Sequence, residues 1–183
     1  MFEHLKKYKH IIVTGPQRAG TRIATTMIAQ DTGLRFVDES EVGYYDIEKM
    51  RDFIKYEDNF VIQAPNFSNV IDTFPEDILI VFMKRDYEDV KASRRRIKDI
   101  GKFCNRERRS QETDKKAGRK KAPFKYEDWE KQKKNIKHWI EVEYESLCGH
   151  PLWVPKEERG MFQWNQTKVN QFSEDVREIL CNI

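Results

Sequence analysis

The sequence predicts an α/β fold with a parallel sheet of about four to five strands flanked by helices, and three observations carry that expectation. Short, apolar-rich runs recur at His10–Thr14, Arg35–Val37, Phe60–Ile62 and Ile78–Met83. Most lack the polar alternation of a half-exposed strand, as strands buried on both faces do. Segments of helical character separate them, and a strand–helix–strand order closes as parallel pairs with right-handed crossovers.

Taken in order, His10-Ile11-Ile12-Val13-Thr14 runs into Gly15-Pro16, a strand entering a tight loop. Thr21 to Gln30 then places Ile23, Met27 and Ile28 on one side, and Gly33 closes the segment as a helix C-terminus. Arg35-Phe36-Val37 is a second strand, followed by the polar turn Asp38-Glu39-Ser40-Glu41. Phe60–Ile62 is the third, and Ile78–Met83 the fourth and most apolar. Asp86 to Phe103 reads as a long basic helix. After a charged insertion come a helix near Tyr126 to Trp139, a strand near Ile140 to Tyr144 and a last helix near Lys168 to Leu180.

At 183 residues the chain has the length of one domain and buries roughly 70% of its unfolded surface. Residues 1–183 are therefore expected to form a single domain. Eleven Phe, seven Tyr and four Trp exclude a disordered chain. No run approaches the roughly 18 apolar residues a membrane span needs, and no signal peptide is expected at MFEHLKKYKHIIVTGP. Cys104, Cys148 and Cys181 are odd in number and lack CxxC spacing, which points to a reducing, cytoplasmic setting without disulfide frame or zinc site. Between Arg94 and Lys121 stand 13 Lys or Arg against 4 Asp or Glu, an excess of +9 in a chain whose net charge is +3. This block, about 94–121, reads as a basic insertion or lid, or as a patch for a polyanion.

The loop Gly15-Pro16-Gln17-Arg18-Ala19-Gly20-Thr21-Arg22 stands between the first strand and the first helix. There, amides of a Gly-containing turn and a helix N-terminus converge on an anion. The GxxxxG spacing is that of a nucleotide phosphate loop, but Thr21-Arg22 replace the Lys-Ser/Thr that ATP and GTP hydrolysis uses.

GPQRAGTR resembles the 5′-phosphosulfate loop of sulfotransferases, in particular the R-K-G-G-T-R form of the heparan sulfate sulfotransferases. The resemblance implies a P-loop nucleoside-triphosphate-hydrolase-like architecture that uses 3′-phosphoadenosine 5′-phosphosulfate and needs no metal. It puts Arg18 on the family's catalytic Lys or Arg, at the bridging oxygen of the leaving group. Thr21 and Arg22 fall on its 5′-phosphate ligands. Arg85-Asp86-Tyr87-Glu88-Asp89-Val90-Lys91-Ala92-Ser93 is similar to the family's R-[ND]-P-x-[DE]-V-x-x-S. There the first Arg and the last Ser bind the 3′-phosphate, roles that would fall to Arg85 and Ser93. A planar guanidinium suits phosphate, and the Ser reaches it from a helix starting at the strand's carboxyl end. Tyr87 stands in place of the usual Pro.

Glu41-Val42-Gly43-Tyr44-Tyr45-Asp46 resembles E-[VP]-H-F-F-D, whose Glu is the general base. Glu41 inherits that role, with Glu39 as the neighbouring candidate. Gly43 departs from the pattern at the His. Gln63-Ala64-Pro65 stands where the family often has K-[ST]-P, so Gln63 replaces a Lys near the transferred group. Glu143-Tyr144-Glu145-Ser146-Leu147 resembles Y-E-[DS]-L, a structural strand motif. Arg159-Gly160 is similar to the R-K-G loop over the adenosine and its 3′-phosphate, a resemblance that would make Arg159 a further cofactor ligand. His4, His10, His138 and His150 lack metal-ligand spacing, and Trp129, Ile136 and Trp139 recur at helical spacing as core.

Three readings follow. The first is sulfuryl transfer from phosphoadenosine phosphosulfate to a hydroxyl or amine acceptor, with the basic block as lid or dock for an anionic acceptor. The second is a P-loop kinase or nucleotide-binding protein using ATP. The third is a nucleic-acid-binding module carried by the basic block. Neither the acceptor nor an oligomeric state is legible in the sequence.

Overall fold

The computed structural model describes residues 1–42, 46–103, 126–155 and 158. Within them lie β1 (His10–Thr14), α1 (Thr21–Thr32), β2 (Arg35–Asp38), α2 (Ile47–Tyr56), β3 (Phe60–Gln63), β4 (Leu79–Lys84), α3 (Tyr87–Phe103), α4 (Tyr126–Gln132) and β5 (Trp139–Glu143). The five strands form one sheet in the order β2-β3-β1-β4-β5, with every neighbouring pair parallel. The α/β expectation holds.

Side-chain alternation along the central strands divides the core into two layers. Ile11, Val13, Val61, Leu79, Val81 and Met83 face the side covered by α1 through Ile23, Ala24, Met27 and Ile28. Ile12, Phe60, Ile62, Ile80 and Phe82 face the other side, where Met50 and Ile54 of α2 and Trp129 of α4 pack. Both faces of β1, β3 and β4 are thereby covered, which is why these runs are apolar throughout. Phe82 and Trp129 stack with ring centroids 4.2 Å apart and an interplanar angle of 3°.

The chain moves from β1 to β2 and β3 on one side of β1, then crosses to β4 and β5 on the other. In such a sheet the crevice at the carboxyl end of the strand where direction reverses is the ligand position. Here that strand is β1, and the loop that follows it is Gly15–Arg22.

Three elements differ from the sequence reading. Helix α2 was not expected; Asp46 caps it, accepting from the amides of Glu48 and Lys49 at 3.2 Å each. Helix α4 ends at Gln132 instead of continuing to Trp139, and a 3-10 turn, Lys133–Asn135, follows it. Trp139 instead opens β5 opposite Ile80, because pairing along β4 outweighs the helical periodicity. Trp129 and Trp139 still meet, in an edge contact at 5.8 Å across the reversal, but of the expected core stripe only Trp129 is buried; Ile136 is partly buried and Trp139 is exposed. Tyr144 likewise leaves the strand and begins a further 3-10 turn, Tyr144–Gly149.

Of the basic stretch 94–121, residues up to Phe103 belong to α3, and the remainder lies outside the described residues, as do the expected last helix near Lys168–Leu180 and Arg159. Among the described residues no helix is long and apolar enough to cross a membrane.

Candidate anion site at the carboxyl end of the central strand

The loop after β1 is shaped by two close approaches. At Gly15, φ is +136°, and a Cβ there would lie 2.7 Å from the carbonyl oxygen of Met83 on the neighbouring strand. At Gly20, φ is +94°, and a Cβ would lie 2.5 Å from the ring of Tyr144. Both positions require glycine by conformation and by space. Pro16, Gln17 and Arg18 bulge between them, with the Ala19 amide donating to the Pro16 carbonyl at 2.9 Å. Arg18 itself has φ +79°. Residues of left-handed and right-handed sense placed in series turn successive amides toward one concavity, which suits an anion. Helix α1 starts at once, with Gly20 as N-cap and without a side-chain cap, so its first amides face the same concavity.

Neighbouring strands brace the loop. Thr14 Oγ1 donates to the Ala64 carbonyl at 3.1 Å, tying the end of β1 to the end of β3. Gln17 Nε2 donates to Asn66 Oδ1 at 2.9 Å, and the Asn66 amide donates to Glu39 Oε2 at 3.4 Å. A chain of contacts therefore runs from the loop to a buried carboxylate on the turn after β2.

The second motif meets the first. Arg85, just beyond β4, donates from Nη1 to the carbonyl of Arg18 at 3.1 Å. Arg18 Nε donates to Oγ of Ser93 on α3 at 3.4 Å, and Ser93 is buried. Three of the expected ligands, far apart in sequence, thus share one corner. The Arg85 guanidinium lies 3.8 Å from the ring centroid of Tyr144, and its buried Nε has no hydrogen-bond partner among the described residues.

Other expected residues stand differently. Thr21 is buried at the first turn of α1. Arg22 turns to Asp38, with Nη1 3.1 Å from Oδ2, while its buried Nε has no hydrogen-bond partner among the described residues. Glu41 caps its own turn, its Oε1 accepting from the Asp38 amide at 2.8 Å. Glu39, 7% exposed, is the carboxylate tied toward the loop. Gln63 ends β3 in register with Val13 and Asp38, and its buried Oε1 has no partner among the described residues. Gly43, which departs from the family pattern, lies outside the described residues.

In the sequence reading Tyr126 and Asn66 have no role at the site, and Tyr144 stands in a structural motif. Tyr126 Oη donates to the carbonyl of Arg85 at 2.7 Å and accepts from its amide at 3.1 Å. Burial pushes the Tyr126 phenol above its ordinary range. Among the described residues no cluster of three or more His, Cys, Asp or Glu is arranged to hold a metal.

No protein-family model matches the sequence, and no curated protein does. Among solved structures, the chain is similar to an unliganded sugar kinase from Janibacter sp. HTCC2649 at 11% identity and a TM-score of 0.40, over 75% of this chain and 86% of that one. A likeness at that level carries no argument about chemistry.

Proposed function

We propose that this crevice binds an adenosine nucleotide bearing a 5′-phosphosulfate and a 3′-phosphate, and that the protein transfers the sulfuryl group to a hydroxyl or amine acceptor. The observation that supports this reading is the meeting of Arg18, Ser93 and Arg85 through contacts of 3.4 Å and 3.1 Å. A 5′-phosphosulfate would lie on the loop amides and the N-terminus of α1, beside Thr21, Arg22 and the run Gly15–Gly20. A 3′-phosphate would take the side-on edge of Arg85 and the hydroxyl of Ser93.

The reaction is an in-line displacement. The acceptor oxygen or nitrogen bonds to sulfur as the bond from sulfur to the bridging oxygen breaks, leaving adenosine 3′,5′-bisphosphate. Charge gathering on that oxygen is met by the amides and by Arg18. The acceptor's proton passes to a carboxylate on the turn after β2. No metal is needed, since cationic side chains and amides supply the positive charge.

A second reading keeps the fold and uses ATP, as a P-loop kinase. What favours it is the pair of carboxylates at the end of β2, Asp38 on the strand and Glu39 on the turn after it, where magnesium-bound ATP needs acids. Against it, Asp38 is committed to Arg22 and to Ser40, whose Oγ it accepts from at 2.7 Å. Thr21-Arg22 also replace the Lys-Ser/Thr pair. Calorimetry separates the two readings. Adenosine 3′,5′-bisphosphate binding much more tightly than ATP, with magnesium absent, is the expected result; magnesium-dependent preference for ATP would install the kinase.

A further inference from the structure

We infer that Tyr126 is a positioning residue for the 3′-phosphate, fixing Arg85 through that residue's own backbone. The inference rests on the phosphosulfate reading of the site.

One phenol oxygen serves both main-chain groups of Arg85, donating to the carbonyl at 2.7 Å and accepting from the amide at 3.1 Å. The residue lies just past the last residue of β4, so neither group is held by the sheet ladder. Without the hydroxyl, the backbone at Arg85 would have solvent in its place and a wider range of angles. The side chain is gripped separately. Its face lies on Tyr144, and Nη1 donates to Arg18. What remains is the edge carrying Nε, which is buried and unpartnered among the described residues. That edge, shared by Nε and Nη2, is the one that takes two oxygens of a phosphate side-on. A buried guanidinium nitrogen without a partner is costly, and a ligand oxygen relieves it. The clamp therefore holds Arg85 in a posture that answers to an anion.

Tyr126 suits this role because its own ring is anchored. It meets Phe82 edge-on at 6.2 Å, and it opens helix α4, whose Trp129 stacks on the same Phe82. The hydroxyl is thus carried by the buried core, not by a loop.

The test is calorimetry on the full chain with adenosine 3′,5′-bisphosphate and with AMP, for the wild type, Tyr126→Phe, Arg85→Ala and the double variant. Phe retains the contact with Phe82, and an unchanged melting temperature confirms the fold. Tyr126→Phe is expected to weaken the bisphosphate about tenfold, the scale of one lost hydrogen-bonded partner, and to leave AMP unchanged. In the Arg85→Ala background the same change should cost nothing further, because the residue acts through Arg85. Tyr126→Leu, which removes the same hydroxyl, should show the same selectivity and keeps the test alive if the Phe variant folds poorly. Equal losses for both ligands, or a full second loss in the Arg85→Ala background, overturns the inference. So does a wild type that prefers the bisphosphate while Tyr126→Phe leaves that preference untouched. A wild type that binds AMP as well as the bisphosphate instead overturns the reading of the site, and the inference with it.

Discussion

Gly20 and Tyr144 meet so closely that a methyl group at position 20 would lie 2.5 Å from Cδ2 of the ring. The ring has nowhere to go, with the Arg85 guanidinium over its face at 3.8 Å and Trp153 edge-on at 5.4 Å. Tyr144 is thus the shared wall between the first turn of α1 and the arginine beyond β4. Gly20→Ala meets both an obstructed space and a left-handed backbone. It is expected to destabilise the fold by about 2–4 kcal/mol, the sum of overpacking and strain. Urea denaturation reads the loss as a lower midpoint at unchanged slope.

Arg85→Ala is expected to weaken adenosine 3′,5′-bisphosphate by about 1.5–3 kcal/mol, the worth of a charge-assisted partner, while AMP binding changes little. The selectivity is what matters. Similar losses for both ligands would mean that Arg85, through its contact with the Arg18 carbonyl, shapes the loop instead of meeting the 3′-phosphate.

Nucleotide binding and any transfer are expected to persist in EDTA. Magnesium sites in phosphate loops rely on a Ser or Thr directly after the Lys, and here that position holds Arg22, paired with Asp38 at 3.1 Å. Isothermal titration with and without chelator checks this. A strict magnesium requirement would transfer the protein to the kinase class.

Acid stability should depend on Glu141 of β5. Burial pushes its carboxyl up, but hydrogen bonds from Lys84, Trp129 and Lys133 outweigh that and hold the pKa at about 2, below the ordinary 4.5. A carboxyl lowered in the folded state stabilises it above the ordinary pKa, and that stability is lost as pH falls toward 2. A shift of this size is worth on the order of 3 kcal/mol at neutral pH. Glu141→Gln is therefore expected to lower stability at pH 7, with wild type and variant converging between about pH 4.5 and 2. Denaturation midpoints across that range test it; a gap that persists at pH 2 would assign the loss to packing against Trp129.

What was legible in the sequence was local. Ile11-Ile12-Val13, Phe60-Val61-Ile62 and Leu79 to Met83 are continuous apolar runs because both sheet faces are covered, and Gly15 and Gly20 mark the places where the backbone is crowded. The family resemblance put Arg18 at the phosphosulfate and Arg85 and Ser93 at the 3′-phosphate; their direct contacts with one another were not legible in the sequence. Helix α2 escaped the reading because the five charged residues of IEKMRDFIKY interleave with its five apolar ones, although Asp46 before Ile47, Met50 and Ile54 is a cap before a helical stripe. The Tyr126 and Tyr144 contacts on Arg85 were not legible, because they join segments 41 and 59 positions apart and depend on how α4 and β5 return to the sheet.

The most exposed expectation concerns the acceptor's proton. By resemblance the general base is Glu41, yet its carboxylate caps its own turn through the Asp38 amide at 2.8 Å, whereas Glu39 is buried and tied through Asn66 to the loop residue Gln17. A base must stand within one hydrogen bond, or one water, of the nucleophile, and of the two carboxylates Glu39 is the one joined to the loop by a relay of hydrogen bonds. Glu39→Gln is expected to lower turnover about a hundredfold or more, the usual worth of positioned proton transfer, with bisphosphate affinity nearly intact. Glu41→Gln should cost mainly stability, by about 1 kcal/mol, through loss of one turn hydrogen bond. Arg18→Ala provides the contrast, lowering turnover and affinity together, because the same guanidinium meets the phosphosulfate before and during the reaction. With water as acceptor, sulfate release from phosphoadenosine phosphosulfate reads all three variants against wild type. A rate that falls for Glu41→Gln and holds for Glu39→Gln returns the base to the position the family resemblance assigns. A rate indifferent to both leaves the crevice a nucleotide-binding site and removes the transferase reading.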